Sequence, residues 1–414
     1  SLEYRGVGKI DGIANFTPNL TFGNSPTFGG ASNSAAIYIR GIGQKEFVPT
    51  VDPGVGLYVD GVYIARSVGG ILDLIDIERV EVLRGPQGTL FGRNTIGGAI
   101  SITTRKPDEE LSGRLSATYG VDNRIDVIGS VNVPWSDSFF STFSVGHLSQ
   151  DGYVKRDDGV DLGDENTLTG RAAFRWLASE AVEVNFSLEG TRDRENGPAF
   201  KLIGIDKGPV INRATGLVDN NTPPMVVIHN QLASFMAGWP APGLGGPDAY
   251  PPCVFLPNAI PGVPSTTNPA VPTCYDDRYI RRGDHNSGTA PAFSDNDMWA
   301  ANFTVDWQIN DGLSAKSITA YRKLDADFSR DGDHSPFAIS AYLDHMDLDQ
   351  LSQEFQLNGD SMDSRLKWVL GLYYFEESGD NENLLDFVMS QFRSGGAIDN
   401  RSWAAFFQGT YDLT

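Results

Sequence analysis

Two cysteines, five histidines and a scatter of arginines and carboxylates are the side chains on which chemistry could rest. Cys253 and Cys274 stand 21 positions apart in PPCVFLPNAI and VPTCYDD. An even count suits a disulfide, and the rival use as metal-binding thiols lacks both C-x-x-C spacing and a neighbouring His. A bridge of that span would add about 3 kcal/mol against the unfolded chain. His147, His229, His285, His334 and His345 form no H-E-x-x-H and no i,i+4 pair. His334 and His345 do share a segment with Asp331, Asp333, Asp344 and Asp347, a set that suits either a divalent cation or a solvated acidic loop. The acidic loop is the simpler reading, so no metal and no cofactor are expected. Gly85, Gly88, Gly92, Gly97 and Gly98 resemble a phosphate cradle only superficially. No G-x-x-x-x-G-K-[ST] is present, and the G-x-G pairs Gly41/Gly43 and Gly54/Gly56 lack the third glycine and the helix of a dinucleotide site. Nothing in the order of Ser, His and Asp supports a catalytic constellation, and no enzyme is expected.

The elements that must position these residues are strands. The 414 residues include 46 Gly, 23 Pro, 23 Phe, 14 Tyr and 7 Trp, a balance that favours turns and pleated backbone over helix. No run of 18 apolar residues exists, which excludes a helical membrane span. A net charge of −21 would repel nucleic-acid phosphate. That charge is unevenly placed: residues 1–107 hold ten Lys/Arg against nine Asp/Glu, a balance of +1, which leaves −22 for the remainder. Two domains meeting near Pro107 follow from this contrast.

Beyond residue 107 apolar and polar residues alternate in long blocks. Trp299, Ala301, Phe303, Val305 and Trp307 share one face, and Ala300, Asn302, Thr304, Asp306 and Gln308 the other. Ten strands are predicted near 112–119, 124–133, 138–150, 166–177, 181–193, 297–309, 313–328, 349–358, 366–378 and 400–413. Their connections alternate between tight (134–137, 178–180, 310–312, 359–365) and expanding, the largest running over about 194–296 with 15 of the 23 prolines and both cysteines. Antiparallel strands put odd and even connections at opposite ends, so one end is trimmed and the other elaborated, as in outer-membrane barrels. Strands this long exceed the usual five or six residues of a soluble sheet, and Trp135, Phe139, Trp176, Tyr373 and Tyr374 cluster at strand ends as interfacial aromatics do. A soluble secreted β-protein remains the rival class. A lumen wide enough for a plug needs about 22 strands, so ten would be the front part of a barrel.

The first 107 residues change texture to short strands cut by glycine: IYIRGIG at Ile37–Gly43, VDPGVGLYVDGVYIARS at Val51–Ser67 and DIERVEVLRGPQGTLFGRNTIGGAISITTRKP at Asp76–Pro107. These motifs, in this order, resemble the plug domain of TonB-dependent outer-membrane receptors, and the ten strands are similar to the front of that family's barrel. The resemblance implies a mostly β fold: a transmembrane antiparallel barrel (108–414) with an N-terminal mixed α/β plug (1–107) in its lumen. It implies a monomer in the outer membrane of a Gram-negative cell, in contact with its lipid, driven by the TonB–ExbB–ExbD complex. The cargo would be a small molecule or metal chelate, with a ferric siderophore as first choice and cobalamin, oligosaccharide or plant-derived aromatic compounds as alternatives. The TonB box is not found in SLEYRGVGKI and would precede Ser1. In the family, plug arginines pair with carboxylates of the wall. Arg40 and Arg84 take that role by resemblance, with Glu81 nearby and Glu354, which alternation points into the lumen, as the wall partner. By the same resemblance the plug's outward loops are 43–50 and 64–70, which makes Gln44, Phe47, Tyr63, Arg66 and Ser67 the expected ligand contacts.

Overall fold

The computed structural model describes residues 8–23, 29–70, 75–205, 210–211, 218–219, 279–336, 340–387 and 390–413. The N-terminal part opens with a 3-10 helix at Ile10–Phe16 and builds two small sheets. Strands β1 (Leu20–Gly23), β2 (Ala36–Ile39) and β3 (Ile42–Gly43) form an antiparallel meander. Strands β4 (Val55–Val59), β5 (Val62–Ile64), β6 (Ile77–Arg84) and β7 (Gly98–Thr104) pair in the order β5-β4-β7-β6, with a short helix α1 (Gly88–Phe91) between β6 and β7. Ile10, Ile39, Val55, Leu57, Ile100 and Ile102 form the core between the two sheets. Gly98 lets β6 and β7 close: its φ is +147°, and a Cβ there would collide with the Leu83 carbonyl.

The rest of the chain is a wall. Strands β8 (Ser112–Tyr119), β9 (Ile125–Ser136) and β10 (Phe139–Gln150) lead to a short β11 (Lys155–Arg156) outside the main sheet. Then follow β12 (Glu165–Ser179) and β13 (Val182–Glu195), the two-residue strands β14 (Val210–Ile211) and β15 (Val218–Asp219), and β16 (His285–Asn286). Strands β17 (Phe293–Asn310), β18 (Leu313–Asp331), β19 (Ser340–Ser361), β20 (Leu366–Phe387) and β21 (Ser390–Tyr411) complete it. Ten of these form one sheet in strict chain order, β8-β9-β10-β12-β13-β17-β18-β19-β20-β21, every neighbour antiparallel. β11 pairs with β16 in parallel, which ties the loop before β12 to the end of the largest connection.

All ten expected strands are present. The expected long loops at 329–348 and 379–399 are corrected: most of their residues continue the ladders of β18 to β21, leaving only 332–339 and 388–389 between strands. Cys253 and Cys274 lie outside the described residues.

The alternation is realised inside out. Trp299, Phe303 and Trp307 are 44%, 43% and 49% exposed on the outer face, while Asn302 and Thr304 face the concavity beside residues of the N-terminal part. Trp299 and Trp307 are separated by roughly 27 Å of extended strand. Strand tilt brings that close to the height of about 25 Å of a barrel's apolar band. No helix among the described residues is long and apolar enough to cross a membrane; the strands carry that role.

Candidate functional site

The site is the seam where the N-terminal sheets meet the inner face of the wall. It begins with the β4–β5 hairpin, whose strand pairing (Tyr58 opposite Tyr63) fixes the direction in which the chain leaves toward Arg66. Gln350 on β19 clasps that exit from both sides: its Nε2 donates to the Tyr63 carbonyl at 2.6 Å and its Oε1 accepts from the Ala65 amide at 3.2 Å. Arg66 is thereby delivered to Glu377 on β20. Its Nε donates to Glu377 Oε1 at 2.6 Å, and its Nη2 meets Glu377 Oε2. The side chains are 7% and 2% exposed, so each charge depends on the other for solvation. Asp52 completes the chain of charges, 3.6 Å from Arg66 Nη1 and 2.7 Å from Arg93 Nη2.

Aromatic rings surround this pair. Tyr58, Tyr63 and Phe375 pack as one cluster with Ala65 and Ala99, the Arg93 guanidinium sits 5.3 Å from the Phe375 ring centre, and Tyr58 donates to the Phe91 carbonyl at 2.5 Å. Burial pushes the Tyr63 phenol up to about 12 even though Asn94 donates to it. Burial, then the neighbouring Tyr63, raises Tyr58 further. Both remain neutral at physiological pH. A second apolar contact lies along β18 and β19, where Phe47 and Val68 pack with Leu324, Phe328, Met346 and Leu348. The Phe47 and Phe328 rings meet edge to face at 5.4 Å.

Polar bonds fasten the seam on other strands. Arg322 on β18 donates to the Gly69 carbonyl at 2.9 Å. Asn33 reaches Asp193 on β13 at 2.5 Å. Lys106 pairs with Glu183 at 2.6 Å, Arg171 on β12 donates to Thr104 Oγ1 at 2.8 Å, and Lys9 pairs with Glu165 at 3.1 Å.

Several expected roles are corrected by this arrangement. Arg66, Phe47 and Tyr63, expected to meet a ligand, are 8%, 4% and 3% exposed and are spent on the wall. Gln44 and Ser67 remain half-buried beside them. Arg40, Glu81, Arg84 and Glu354 do not form ion pairs with one another. Arg40 occupies the tight β2–β3 turn at φ +53° and is exposed. Glu81 pairs with Arg79 at 3.3 Å, and Arg84 donates at 3.5 Å to the Pro18 carbonyl. Glu354 lies on the inner face of β19 as expected, but accepts from Gln356 at 2.6 Å. The wall partner is Glu377, and the plug arginine that finds it is Arg66. The histidines divide as well: His334 packs against Phe200, while His345 joins Asp325 and Asp327, whose ligand atoms lie within 4.8 Å of one another. Grouping by loop missed that triad, because strand register rather than chain proximity brings it together.

The profile of the TonB-dependent Receptor Plug Domain family matches residues 1–99. Its N-terminal part is thus a plug domain of that family, and the chain as a whole resembles TonB-dependent outer-membrane receptors. It is 35% identical over 236 residues to the pesticin receptor of Yersinia enterocolitica, a match covering 53% of this chain and 32% of that protein. It is 25% identical over 152 residues to the vitamin B12 transporter BtuB of Vibrio vulnificus, covering 37% and 24%. Among solved structures, the ferric yersiniabactin uptake receptor FyuA from Yersinia pestis superposes with a TM-score of 0.72 at 19% identity, covering 100% of this chain and 53% of that one. The chain thus spans about half the length of that TonB-dependent receptor. Its place is the outer membrane of a Gram-negative cell, which agrees with the oily outer face of β17.

Proposed function

We propose that this chain is the plug (1–107) and the front of the barrel (108–414) of an importer that carries a scarce ligand across the outer membrane. The cargo we favour is a ferric siderophore. The observation that carries the reading is the Arg66–Glu377 pair, buried between the N-terminal sheets and the wall. A stopper held by a charge pair stays shut without energy, yet its seam is polar enough to part under a pull. The pull would come from the TonB–ExbB–ExbD complex, and the working unit would be a monomer. The ferric yersiniabactin uptake receptor among the similar structures favours an iron chelate, while the similarity to the vitamin B12 transporter BtuB favours cobalamin as the second reading. Uptake of radiolabelled ferric chelates and of cobalamin by cells with and without the full-length receptor tests this. Receptor-dependent accumulation of an iron chelate that stops when TonB is deleted is expected. Cobalamin uptake alone would shift the cargo, and uptake independent of TonB would overturn the coupled mechanism.

A further inference from the structure

A second feature lies at the short-turn end of the lumen, away from both edges of the ten-stranded sheet. Between the Asp60–Gly61 turn, the segment Thr103–Pro107 and the inner faces of β12, β13, β17 and β18 is a chamber of about 350 Å³. Its lining is cationic in a chain whose net charge is −21: Arg79, Arg105, Lys106, Arg171 and Lys316 stand against Asp60 and Asp306. Three of the five are locally neutralised, Lys106 by Glu183 at 2.6 Å, Lys316 by Asp306 at 3.3 Å and Arg79 by Glu81 at 3.3 Å.

Arg105 is not, and Arg171 is compensated only in part, by Asp60 and by Glu189, its register partner on β13. Arg105 is exposed and has no ion-pair partner among the described residues. The Arg171 side chain is only 9% exposed and lies 3.9 Å from Asp60. That carboxylate is already engaged by the Thr104 amide at 2.8 Å and its hydroxyl at 2.6 Å. Arg171 Nη2 shares the same hydroxyl, and its Nε and Nη1 have no hydrogen-bond partner. Guanidinium donors withdrawn from water and left unbonded are costly. A carboxylate or phosphate oxygen is the group that would meet that cost, because it brings both charge and acceptors.

We propose that this chamber is a binding site for a small oxyanion, of the carboxylate or phosphate class, held by Arg171 with Arg105 at its mouth. Its volume is at the lower end of the range for small-molecule pockets, which suits one compact anion rather than a whole metal chelate. The anion has two sources, a free oxyanion of the compartment facing the short turns or an acidic group borne by a passing cargo. Binding is read without transport, so the site stands or falls apart from the import reading.

The test is calorimetric titration of the full-length, detergent-solubilised receptor with inorganic phosphate and with citrate at low ionic strength. Saturable binding of one anion is expected, weakened roughly tenfold in Arg171→Gln and about two- to fivefold in Arg105→Gln, with Arg171→Lys falling in between. Tighter citrate binding assigns the site to cargo carboxylates, and tighter phosphate binding to the free oxyanion. Heat-modifiable gel migration checks that each variant folds; if Arg171→Gln does not, the exposed Arg105→Gln decides. No saturable binding of either probe, or affinities unchanged in the folded variants, would overturn the site.

Discussion

At the scale of single residues, the seam turns on Arg66 and Glu377, 311 positions apart in the chain. Removing one partner strands the other charge in a place with almost no water, at a cost of about 3–5 kcal/mol. Glu377→Ala in the full-length receptor should therefore loosen the plug and raise entry of large antibiotics, and pairing it with Arg66→Leu should recover part of the barrier. Arg84→Ala, at an exposed side chain with one long bond to the Pro18 carbonyl, should change permeability little. Equal leak from Glu377→Ala and Arg84→Ala would show that the buried pair does not hold the stopper. This preference was not legible in the sequence. IYIRGIG, IARS and LRGP each offer an arginine, and only the clasp of Gln350 on the Tyr63–Ala65 backbone decides which one reaches the wall. Phe47 misled for a related reason: a loop residue that follows Gln44, Lys45 and Glu46 reads as exposed until β18 supplies Phe328 to cover it.

At the scale of elements, the tight ends of the strands were readable and the elaborated ends were not. Near the short turns the outer face is apolar and the inner polar, so the two-residue period is strong. Toward the other end β19 runs through Asp344, His345, Asp347 and Asp349, and β20 through Glu376, Glu377, Asp380 and Glu382. On β20 both faces are polar there. On β19 the period is inverted, with Met346 and Leu348 turned in toward the plug and His345, Asp347 and Asp349 on the other face. The outward apolar stripe is thus lost while the hydrogen-bonded ladder continues for 22 residues in each strand. Glycine marks where this extension is tightest. Gly379 has φ +149°, and a Cβ would run into the Asp347 carbonyl of the neighbouring strand. Gly379→Ala should thus strain the upper β19–β20 ladder by about 1–3 kcal/mol. The expected outcome is faster proteolytic nicking within residues 379–399 with the lower wall intact. Unaltered nicking would mean that the ladder does not depend on that close approach.

At the scale of the whole molecule, the decisive property is that the wall is inside out relative to a soluble protein. Its oily stripe faces away from the concavity, and its polar stripe faces the plug. Phe303 and Thr304 are adjacent in chain yet belong to these two worlds: Phe303 sits on the outer face 43% exposed, and Thr304 borders the lumenal chamber. An arginine in place of Phe303 would lie between Trp299 and Trp307, at the level of the hydrocarbon, and should cost about 2–4 kcal/mol. An arginine in place of Thr304 would enter a hydrated, polar space and should cost less than about 1 kcal/mol, although it adds to the positive charge already gathered there. Urea titration of the two full-length variants refolded into lipid vesicles, followed by gel migration of the folded form, reads that difference directly. A larger loss from Thr304→Arg than from Phe303→Arg would reverse the assignment of faces. The N-terminal sheets would then have no lipid-bound cylinder to close.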